Sequence, residues 1–350
     1  MAFPAVFATN AFWAIALAVA LAGRRGVRQD VGMSSTPVTV DTFVRAETDK
    51  YFATPVNQAG GLGRFFHYRQ PMPIDDQTVI RANRDTLYSA ALIDLEAGPA
   101  TVTLPDAHGR FLSLMVIDED HYVPAVFYDP GDHVVDTDLV PTRYAMLGVR
   151  ILVDPADPDD IATVHALQDE IRIEQERSGS FEVPDWDEES RSKIRDALLV
   201  LSNSLSDTDA MFGARGEVDP VRHLIGSASA WGGNPRRDAT YFPVTPEDND
   251  GTTNYRLVVG DVPVDGFWSI AVYNARGYFE PNALKAYSLN SVTATKEPDG
   301  STIIQFGGSP ADAPNVLPIT PGWNYWVRLY RPRPEVLTGE WEFPRAMPLR

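Results

Sequence analysis

The chain has 350 residues, which is enough for two hydrophobic cores, and its 44% hydrophobic and 22% charged residues are typical of a globular protein. Its formal net charge of −18 makes nucleic acid and anionic membrane surfaces poor partners. The absence of cysteine excludes disulfides, thiolate metal sites, iron–sulfur clusters and cysteine nucleophiles.

Residues 1–37 are predicted to form a leader, for which the sequence leaves three alternatives. Residues 11–23 are an apolar run ending in Ala-x-Ala, as in a signal peptide, but arginines follow the run instead of preceding it. As a retained membrane anchor the run is short, and the arginines would keep the protein body in the cytoplasm. Synthesis starting at Met33 is the third alternative. Two of the three favour a cytoplasmic location over export.

A helix and then a strand-rich region are predicted for the first part of the body. In VDTFVRAETDKYF (40–52) the apolar residues recur at roughly helical spacing, and Asp41 is a candidate N-cap. From about residue 78 to 153, β-branched and aromatic runs are separated by turn clusters such as DPGDH (129–133). These patterns predict a first β domain with an N-terminal helix over residues 38–153.

Helical signals replace strand signals at DPADPDD (154–160), where Pro158 suits the first turn of a helix. Apolar residues from Ile161 to Ile173 lie mostly on one helical face and predict a helix there. Strand patterns return from Ala239 onward. The predicted elements are further helices over 188–205 and 219–231, a helical segment over 154–237, and a second β domain over 238–350.

Two stretches of the chain can be aligned without a gap, RFLSLMVIDEDHY (110–122) and GFWSIAVYNARGY (266–278). Four of the thirteen positions are identical, and both stretches become polar at the same point, at Asp118 and Asn274. We interpret this repeat as an internal duplication. The predicted fold class is therefore mainly β with a helical segment (α+β), built from two β-sandwich or jelly-roll-like domains.

Several longer motifs carry a family resemblance. NRDTLYS (83–89), WGGNPRRDATY (231–241), DGSTIIQFG (299–307) and WNYWVRLYRPRPEVLTGEWEFP (323–344) resemble the bacterial paired domains of unknown function 1254 and 1214. The resemblance extends from about residue 40 to the C-terminus. It implies a two-part, mostly β protein with helical elements, and it brings no assigned catalytic residue.

The acidic end of the first repeat is the candidate site for proton transfer. Asp118, Asp120 and His121 follow an apolar strand directly, and carboxyl and imidazole groups are the usual general acids and bases. A divalent metal could use the same ligands but is not favoured. Asp118 and His121 point to opposite sides of a regular strand, and no two histidines have the spacing of a local metal site.

Two motifs supply candidate ligand-binding residues, and each also has a structural interpretation. NRDTLYS places a guanidinium beside a carboxylate, which could orient a substrate carboxylate or form an ion pair at a strand entrance. WGGNPRRDATY combines aromatic and cationic groups, which suits either an acidic ligand or an interdomain hinge. The predicted ligand-binding residues are Asn83, Arg84, Asp85, Tyr88, Tyr122, Trp231, Arg236 and Tyr241.

The leading functional hypothesis is an enzyme that acts on a small organic substrate by acid–base chemistry. Its pocket would lie between the β domains and the helical segment, with Arg84 as the substrate anchor. The alternative is a non-catalytic ligand-binding or assembly module, since duplicated sandwiches offer broad surfaces for homo-oligomers and the chain has no recognisable nucleophile. A membrane partner is expected only if residues 11–23 are a retained anchor.

Overall fold

A computed structural model describes residues 35–77, 80–309 and 313–349. The predicted leader run 11–23 and the alternative start at Met33 lie outside these residues. Within the described part of the chain, every helix is too short or too polar to cross a membrane. The predicted cytoplasmic location stays a prediction.

The described residues are mainly β, as predicted, with sixteen strands and five α-helices. The helices are α1 (Phe43–Ala59), α2 (Pro158–Glu170), α3 (Glu188–Ser202), α4 (Pro220–Ser229) and α5 (Pro334–Thr338). The strands of the first half are β1 (Phe66–Tyr68), β2 (Thr86–Asp94), β3 (Ala100–Leu104), β4 (Leu112–Asp118), β5 (Ala125–Phe127), β6 (Gly131–Val135), β7 (Tyr144–Leu152) and β8 (Arg172–Gln175). Those of the second half are β9 (Ala239–Val244), β10 (Tyr255–Val259), β11 (Trp268–Tyr273), β12 (Ser288–Asn290), β13 (Thr302–Phe306), β14 (Val316–Leu317), β15 (Asn324–Tyr330) and β16 (Met347–Pro348).

The chain forms two compact units, and short pieces of its first half belong to the second unit. Unit 1 contains the described residues up to Gln70, Thr86–Val153 and Asp157–Pro235. Unit 2 contains Pro71–Asp85, Asp154–Ala156 and the chain from Arg236 onward. The residues Asn83, Arg84 and Asp85 of the NRDTLYS motif are therefore part of unit 2, whereas the strand that follows them is part of unit 1.

Unit 1 contains a five-stranded sheet in the order β1-β2-β7-β4-β5 and a three-stranded sheet in the order β6-β3-β8. One core is formed by buried side chains of both sheets and of α2, such as Leu114, Val102 and Val164. On its other face the larger sheet contributes Met115 to a second core, which also contains Phe52 of α1. Because both faces are covered, every residue of β2, β4 and β7 is buried, which explains why FLSLMVI is apolar at every position except Ser113.

Unit 2 contains two four-stranded sheets, in the orders β14-β13-β10-β16 and β12-β11-β15-β9. Its core combines side chains of both sheets, including Leu257 and Ile304 from one sheet and Ile270 and Val327 from the other. Trp323 is fully buried and lies within 5.1 Å of Phe306, measured between ring centroids. Aromatic burial of this kind contributes strongly to the stability of a core.

The helix predicted over residues 161–173 is only partly correct. Helix α2 begins after Asp157, whose side chain accepts a hydrogen bond from Asp159 N, but it ends at Glu170. Ile173 lies in β8 and pairs with Val102 of β3. Short apolar stretches fit helix and strand equally well, and here pairing with β3 decides the outcome. The N-cap of α1 is Thr42, so the predicted Asp41 cap is wrong.

Each unit contains one series of four strands with the same order. The series β2-β7-β4-β5 of unit 1 has the same order and antiparallel pairing as the series β9-β15-β11-β12 of unit 2. Counted along the chain, the strands of each series lie side by side in the order first, fourth, second, third. Each series also carries a Ser–Arg–Tyr row across three neighbouring strands, formed by Ser113, Arg150 and Tyr88 in unit 1 and by Ser269, Arg328 and Tyr241 in unit 2.

Candidate functional site

The acidic end of β4 forms a tight turn that Asp118 holds together. Its Oδ1 accepts hydrogen bonds from the backbone N–H groups of Asp120 (2.9 Å) and Tyr122 (2.8 Å). Asn274, at the end of β11, accepts the corresponding bonds from Arg276 N (2.9 Å) and Tyr278 N (3.1 Å). Burial raises the pKa of Asp118 to about 6, while its backbone hydrogen bonds oppose the shift. The carboxyl group of Asp118 thus shapes the turn.

His121 is fully buried, and both of its ring nitrogens are engaged. Gly232 N–H donates to Nε2 (2.8 Å), so this nitrogen carries no proton. The Ser227 hydroxyl donates to the carbonyl oxygen of His223 (2.9 Å), so Nδ1–H of His121 donates to Ser227 Oγ (2.8 Å). The ring is therefore neutral and stacks on Trp231, with 4.9 Å between centroids. This geometry supports a structural role for His121 and does not position the ring for the predicted proton transfer.

The backbone of His121 supports the same conclusion. Its φ of 65° lies in the left-handed region, which costs a residue with a side chain about 1–2 kcal/mol. The aligned position in the second repeat is Gly277, with a φ of 86° and no such cost. A histidine at this position offsets its strain through the hydrogen bonds and stacking of its ring.

A pH titration of stability tests this role of His121. Burial lowers the pKa of His121 well below 6.5, so its contribution to stability is present above pH 6.5 and is lost as the unfolded chain takes up the proton at lower pH. Asparagine tolerates the left-handed backbone but does not titrate. We expect His121→Asn to cost about 1–3 kcal/mol near pH 8. The difference from wild type should shrink by about 1.4 kcal/mol per pH unit below 6.5, measured by urea unfolding. Parallel curves for the two proteins would mean that His121 titrates freely in the folded state.

The neighbours of His121 in the DEDHY stretch lie in an ion-paired surface cluster. Asp120 forms salt bridges with Arg45 (2.6 Å) and Arg215 (2.8 Å). Burial opposes ionisation of Asp120, but the bonds and charges of the two arginines outweigh it and lower its pKa. Tyr122 stacks on His223 at 4.5 Å, and the Arg215 guanidinium lies 4.4 Å above its ring. Asp120 is thus an ionised, paired carboxylate, and Tyr122 packs as part of the same cluster.

The motif NRDTLYS begins with a turn in unit 2. Asn83 Oδ1 accepts a hydrogen bond from Asp85 N (2.9 Å), a bond typical of asparagine in turns. Asn83 Nδ2 also donates to the Tyr330 hydroxyl (3.3 Å). The turn directs the side chains of Arg84 and Asp85 to the wall of one cavity of about 720 Å³, within the range of small-molecule sites. The sequence-predicted pair of guanidinium and carboxylate is thus brought together.

We call this cavity the Arg84 pocket. Its wall combines charged, hydroxyl, amide and apolar groups from three parts of unit 2. It is lined by Ile74, Arg84, Asp85, Asp154, Pro155, Ala156, Leu284, Lys285, Ala286, Tyr287, Ser288, Leu289, Asn290 and Thr293.

The Arg84 side chain donates from Nη1 to the carbonyl oxygen of Met72, and its guanidinium lies 5.7 Å from the ring centroid of Tyr287. No carboxylate oxygen of the described residues forms a salt bridge with it. Burial lowers the pKa of Arg84, and the nearby Tyr287 and Asp85 compensate only in part. A positive charge that lies at a cavity wall and forms no salt bridge is suited to binding an anion.

Asp85 is the buried acid of the Arg84 pocket, with 1% of its surface exposed. Burial raises its pKa, while the positive charge of Arg328 and a hydrogen bond from Asn290 Nδ2 (3.3 Å) oppose the shift. A carboxyl group with a raised pKa in a pocket is a candidate general acid or base. Asp85 therefore has the environment that acid–base chemistry requires.

The other predicted ligand-binding residues lie outside the Arg84 pocket. Tyr88 is buried in β2 with the Arg150 guanidinium 5.9 Å from its ring. Trp231 is buried in unit 1, where its ring stacks on Tyr51 at 4.4 Å. Arg236 is exposed and Tyr241 half-buried, and both belong to unit 2. The described residues contain no group of three His, Asp or Glu side chains that could hold a metal ion.

Sequence models of two families match the chain. "Protein of unknown function (DUF1254)" covers residues 62–126, and "Protein of unknown function (DUF1214)" covers residues 241–334. Both members of the pair are present in this chain. The resemblance predicted from the sequence is confirmed. No functionally curated protein matches the chain.

The chain shares its fold with a solved structure. The crystal structure of the VPA0106 protein from Vibrio parahaemolyticus matches with a TM-score of 0.67 at 17% identity, over 89% of this chain and 98% of that chain. A putative uncharacterized protein from Burkholderia cenocepacia matches with a TM-score of 0.49 at 13% identity, over 88% of this chain and 87% of that chain.

The Arg84 pocket takes residues from both matched segments. Arg84 and Asp85 lie in the DUF1254 segment, whereas Tyr287 and Asn290 lie in the DUF1214 segment. The pocket therefore depends on the pairing of the two family segments within unit 2. The residues 284–293 were missed by sequence reasoning, because no local motif marks them.

A second cavity, of about 650 Å³, lies in unit 1 and contains Asp120 but neither Asp118 nor His121. We call it the Asp49 cleft. Sequence reasoning missed its buried acid Asp49, although a signal was present. Asp49 lies three residues from both Ala46 and Phe52, so a charged side chain falls on the buried face of α1. The cleft is lined by Arg45, Asp49, Glu119, Asp120, Pro141, Thr142, Arg143, Tyr144, Glu182, Val183, Pro184, Trp186 and Arg215.

Proposed function

We propose that the chain binds a small organic anion in the Arg84 pocket and that Asp85 acts there as the acid–base group. The observation that carries the proposal is the half-buried guanidinium of Arg84 at the cavity wall, which forms no salt bridge among the described residues and is compensated only in part by the charge of Asp85. Burying a charge without a counter-charge is costly, and a bound carboxylate would remove that cost.

Other groups of the pocket fit the same ligand class. Lys285 adds a second positive charge, and Ser288, Asn290 and Thr293 offer hydroxyl and amide groups for hydrogen bonds. The ring of Tyr287 gives an apolar surface beside the guanidinium. A carboxylate of a few carbon atoms, held by charge-assisted bonds at one end, matches this distribution of polar and apolar groups.

The role of Asp85 separates the enzyme hypothesis from the ligand-binding alternative. An acid with a raised pKa next to an anion anchor favours proton transfer to or from the bound molecule. In a non-catalytic module the same carboxyl would serve only the structure. We retain the enzyme as the first hypothesis because Asp85 lines the cavity together with the anchor. Homo-oligomer formation and the exclusion of nucleic acid stay predictions.

We further propose that the units are β-sandwiches related by duplication. Support comes from cores formed between two sheets in each unit, from the common strand order, and from the two Ser–Arg–Tyr rows. The turns that end β4 and β11 also share their hydrogen bonds at Asp118 and Asn274. Unit 2 would then have kept the ligand site, since Arg84 and Asp85 belong to it.

Titration calorimetry of the full chain with succinate and with its uncharged analogue succinamide tests anion binding. We expect succinate to bind and succinamide not to bind, because only the former has carboxylates for Arg84. Arg84→Gln should weaken succinate binding by about tenfold or more, since a charge-assisted hydrogen bond contributes about 1.5–3 kcal/mol. Arg256→Gln is the matched control, because Arg256 is exposed in the same unit and lies outside the pocket.

Three results would contradict the anion site: no succinate binding at millimolar concentration, equal binding of both compounds, or unchanged binding in Arg84→Gln.

The pH dependence of succinate binding tests the role of Asp85 separately. Because its pKa is raised, wild-type binding should weaken as the pH rises through that pKa and the ionised Asp85 repels succinate. Asp85→Asn should lack this loss. If Asp85→Asn shows the same pH dependence of succinate binding as the wild type, Asp85 has no part in the proposal, and only the anion site remains.

A further inference from the structure

The Asp49 cleft of unit 1 contains a buried acid with an unused acceptor. Asp49 has 2% of its surface exposed, and its Oδ2 accepts a hydrogen bond from Trp186 Nε1 (2.7 Å). Its Oδ1 is also buried and has no hydrogen-bond partner among the described residues. Buried carboxylate oxygens are normally satisfied, so an unused one at a cavity wall points to a missing donor.

The charges around the cleft determine what kind of donor is missing. Its three arginines already have carboxylate partners, Arg45 with Glu119 and Asp120, Arg215 with Asp120, and Arg143 with Asp94, Glu96 and Glu182. No salt bridge joins Asp49 to a described residue. The wall carries four carboxylates, Asp49, Glu119, Asp120 and Glu182, against these three guanidiniums. The nearest guanidinium, that of Arg45, is already paired with Glu119 and Asp120, so the cleft lacks a cation that pairs with Asp49.

The protonation behaviour of Asp49 agrees with this deficit. Burial raises its pKa to about 6, and the negative charges of Glu119 and Asp120 add to the shift, while Trp186 and Arg45 oppose it. Above pH 6 the protein therefore keeps an ionised buried carboxylate at a cost to its stability. Acids held at such a cost are found preferentially at functional sites.

The remaining wall is mostly apolar or aromatic. Trp186, fixed through its Nε1–H on Asp49, lines the cleft with Val183 and Pro184. Aromatic rings attract organic cations, and the neighbouring apolar side chains suit a hydrocarbon chain. Dehydrated metal ions prefer several oxygen ligands at once, and the described residues form no such group.

We propose that the Asp49 cleft binds an organic ammonium ion, with its N–H group donating to Asp49 Oδ1 and its carbon chain lying against Trp186, Val183 and Pro184. This site is in unit 1 and takes a cation, so it is independent of the proposed anion site in unit 2. A volume of about 650 Å³ accommodates a small amine.

The test is calorimetric titration of the full chain with 1,4-diaminobutane, with 1,4-butanediol as the uncharged analogue. We expect binding of the diamine at low salt near pH 7.5 and none of the diol. Asp49→Asn keeps an oxygen acceptor for Trp186, so it should fold, and it should weaken diamine binding by about tenfold or more. Asp196→Asn is the matched control, because Asp196 is exposed on α3 of the same unit and does not line the cleft.

The pH dependence gives a second readout. With a pKa of about 6 for Asp49, wild-type binding should weaken about tenfold between pH 7.5 and pH 5 as the carboxyl takes up a proton. Asp49→Asn should bind weakly at both pH values. The charged groups that face Asp49, namely Arg45, Glu119 and Asp120, are the same in both proteins. No diamine binding at millimolar concentration, equal binding of diol and diamine, or unchanged affinity in a folded Asp49→Asn protein would overturn the proposal.

Discussion

Replacing Trp231 with alanine is expected to lower the free energy of unfolding of unit 1 by about 3–5 kcal/mol. The side chain has 1% of its surface exposed, stacks on Tyr51 and His121, and meets Phe52 edge-on at 6.2 Å. Its Nε1–H donates to Thr48 Oγ1 (3.1 Å). Alanine would leave a cavity between α1, the His121 turn and the sheet, because these elements are too well packed to collapse into the space.

Urea unfolding followed by far-ultraviolet circular dichroism measures this loss, and hydrogen exchange assigns it to unit 1. Faster exchange should appear in α1 and in the turn that contains His121. Trp231→Phe is the control, because it keeps a ring against Tyr51 and loses mainly the bond to Thr48, at about 1–3 kcal/mol. A Trp231→Ala protein within about 0.5 kcal/mol of wild type would show that Trp231 is not part of the core.

The end of β4 shows what sequence patterns could and could not predict. The run FLSLMVI predicted a buried strand, and the alignment with GFWSIAVYN matched Asp118 with Asn274, because both patterns are local. The role of His121 depends on Ser227 and Gly232, more than one hundred positions along the chain. Histidine is equally compatible with proton transfer and with a buried neutral ring, so the local pattern could not decide.

The candidate site was predictable to the same extent. NRDTLYS indicated a guanidinium and a carboxylate side by side, and both line the Arg84 pocket. The rest of the wall, with Tyr287 and Asn290, could not be predicted, since residues 71–85 join unit 2 only through tertiary packing. Asp49 was missed for a related reason. A carboxylate on an apolar helix face has meaning only when its neighbours, here Trp186 and Glu119, are known.

Replacing Arg328 with methionine is expected to destabilise unit 2 by about 3–5 kcal/mol, because it removes one charge of a buried, compensated group. Arg328 is fully buried in β15, and its Nη2 donates to the Tyr273 hydroxyl (2.7 Å) and to the carbonyl oxygens of Arg81 (2.9 Å) and Ala82 (3.4 Å). Its positive charge also favours the ionised form of the buried Asp85. Without it, these acceptors and the Asp85 carboxyl would be left in a desolvated site.

The double variant Arg328→Met/Asp85→Asn identifies which part of this loss is electrostatic. If the charge of Arg328 compensates Asp85, the second substitution should recover about 1–3 kcal/mol, because no uncompensated carboxyl is left in the core. Arg256→Met, an exposed substitution of the same type on β10, should stay within about 0.5 kcal/mol of wild type. Additive losses in the urea unfolding of the double variant would show that the two buried groups do not interact. The raised pKa of Asp85 would then follow from burial alone, and its suitability for proton transfer would not depend on Arg328.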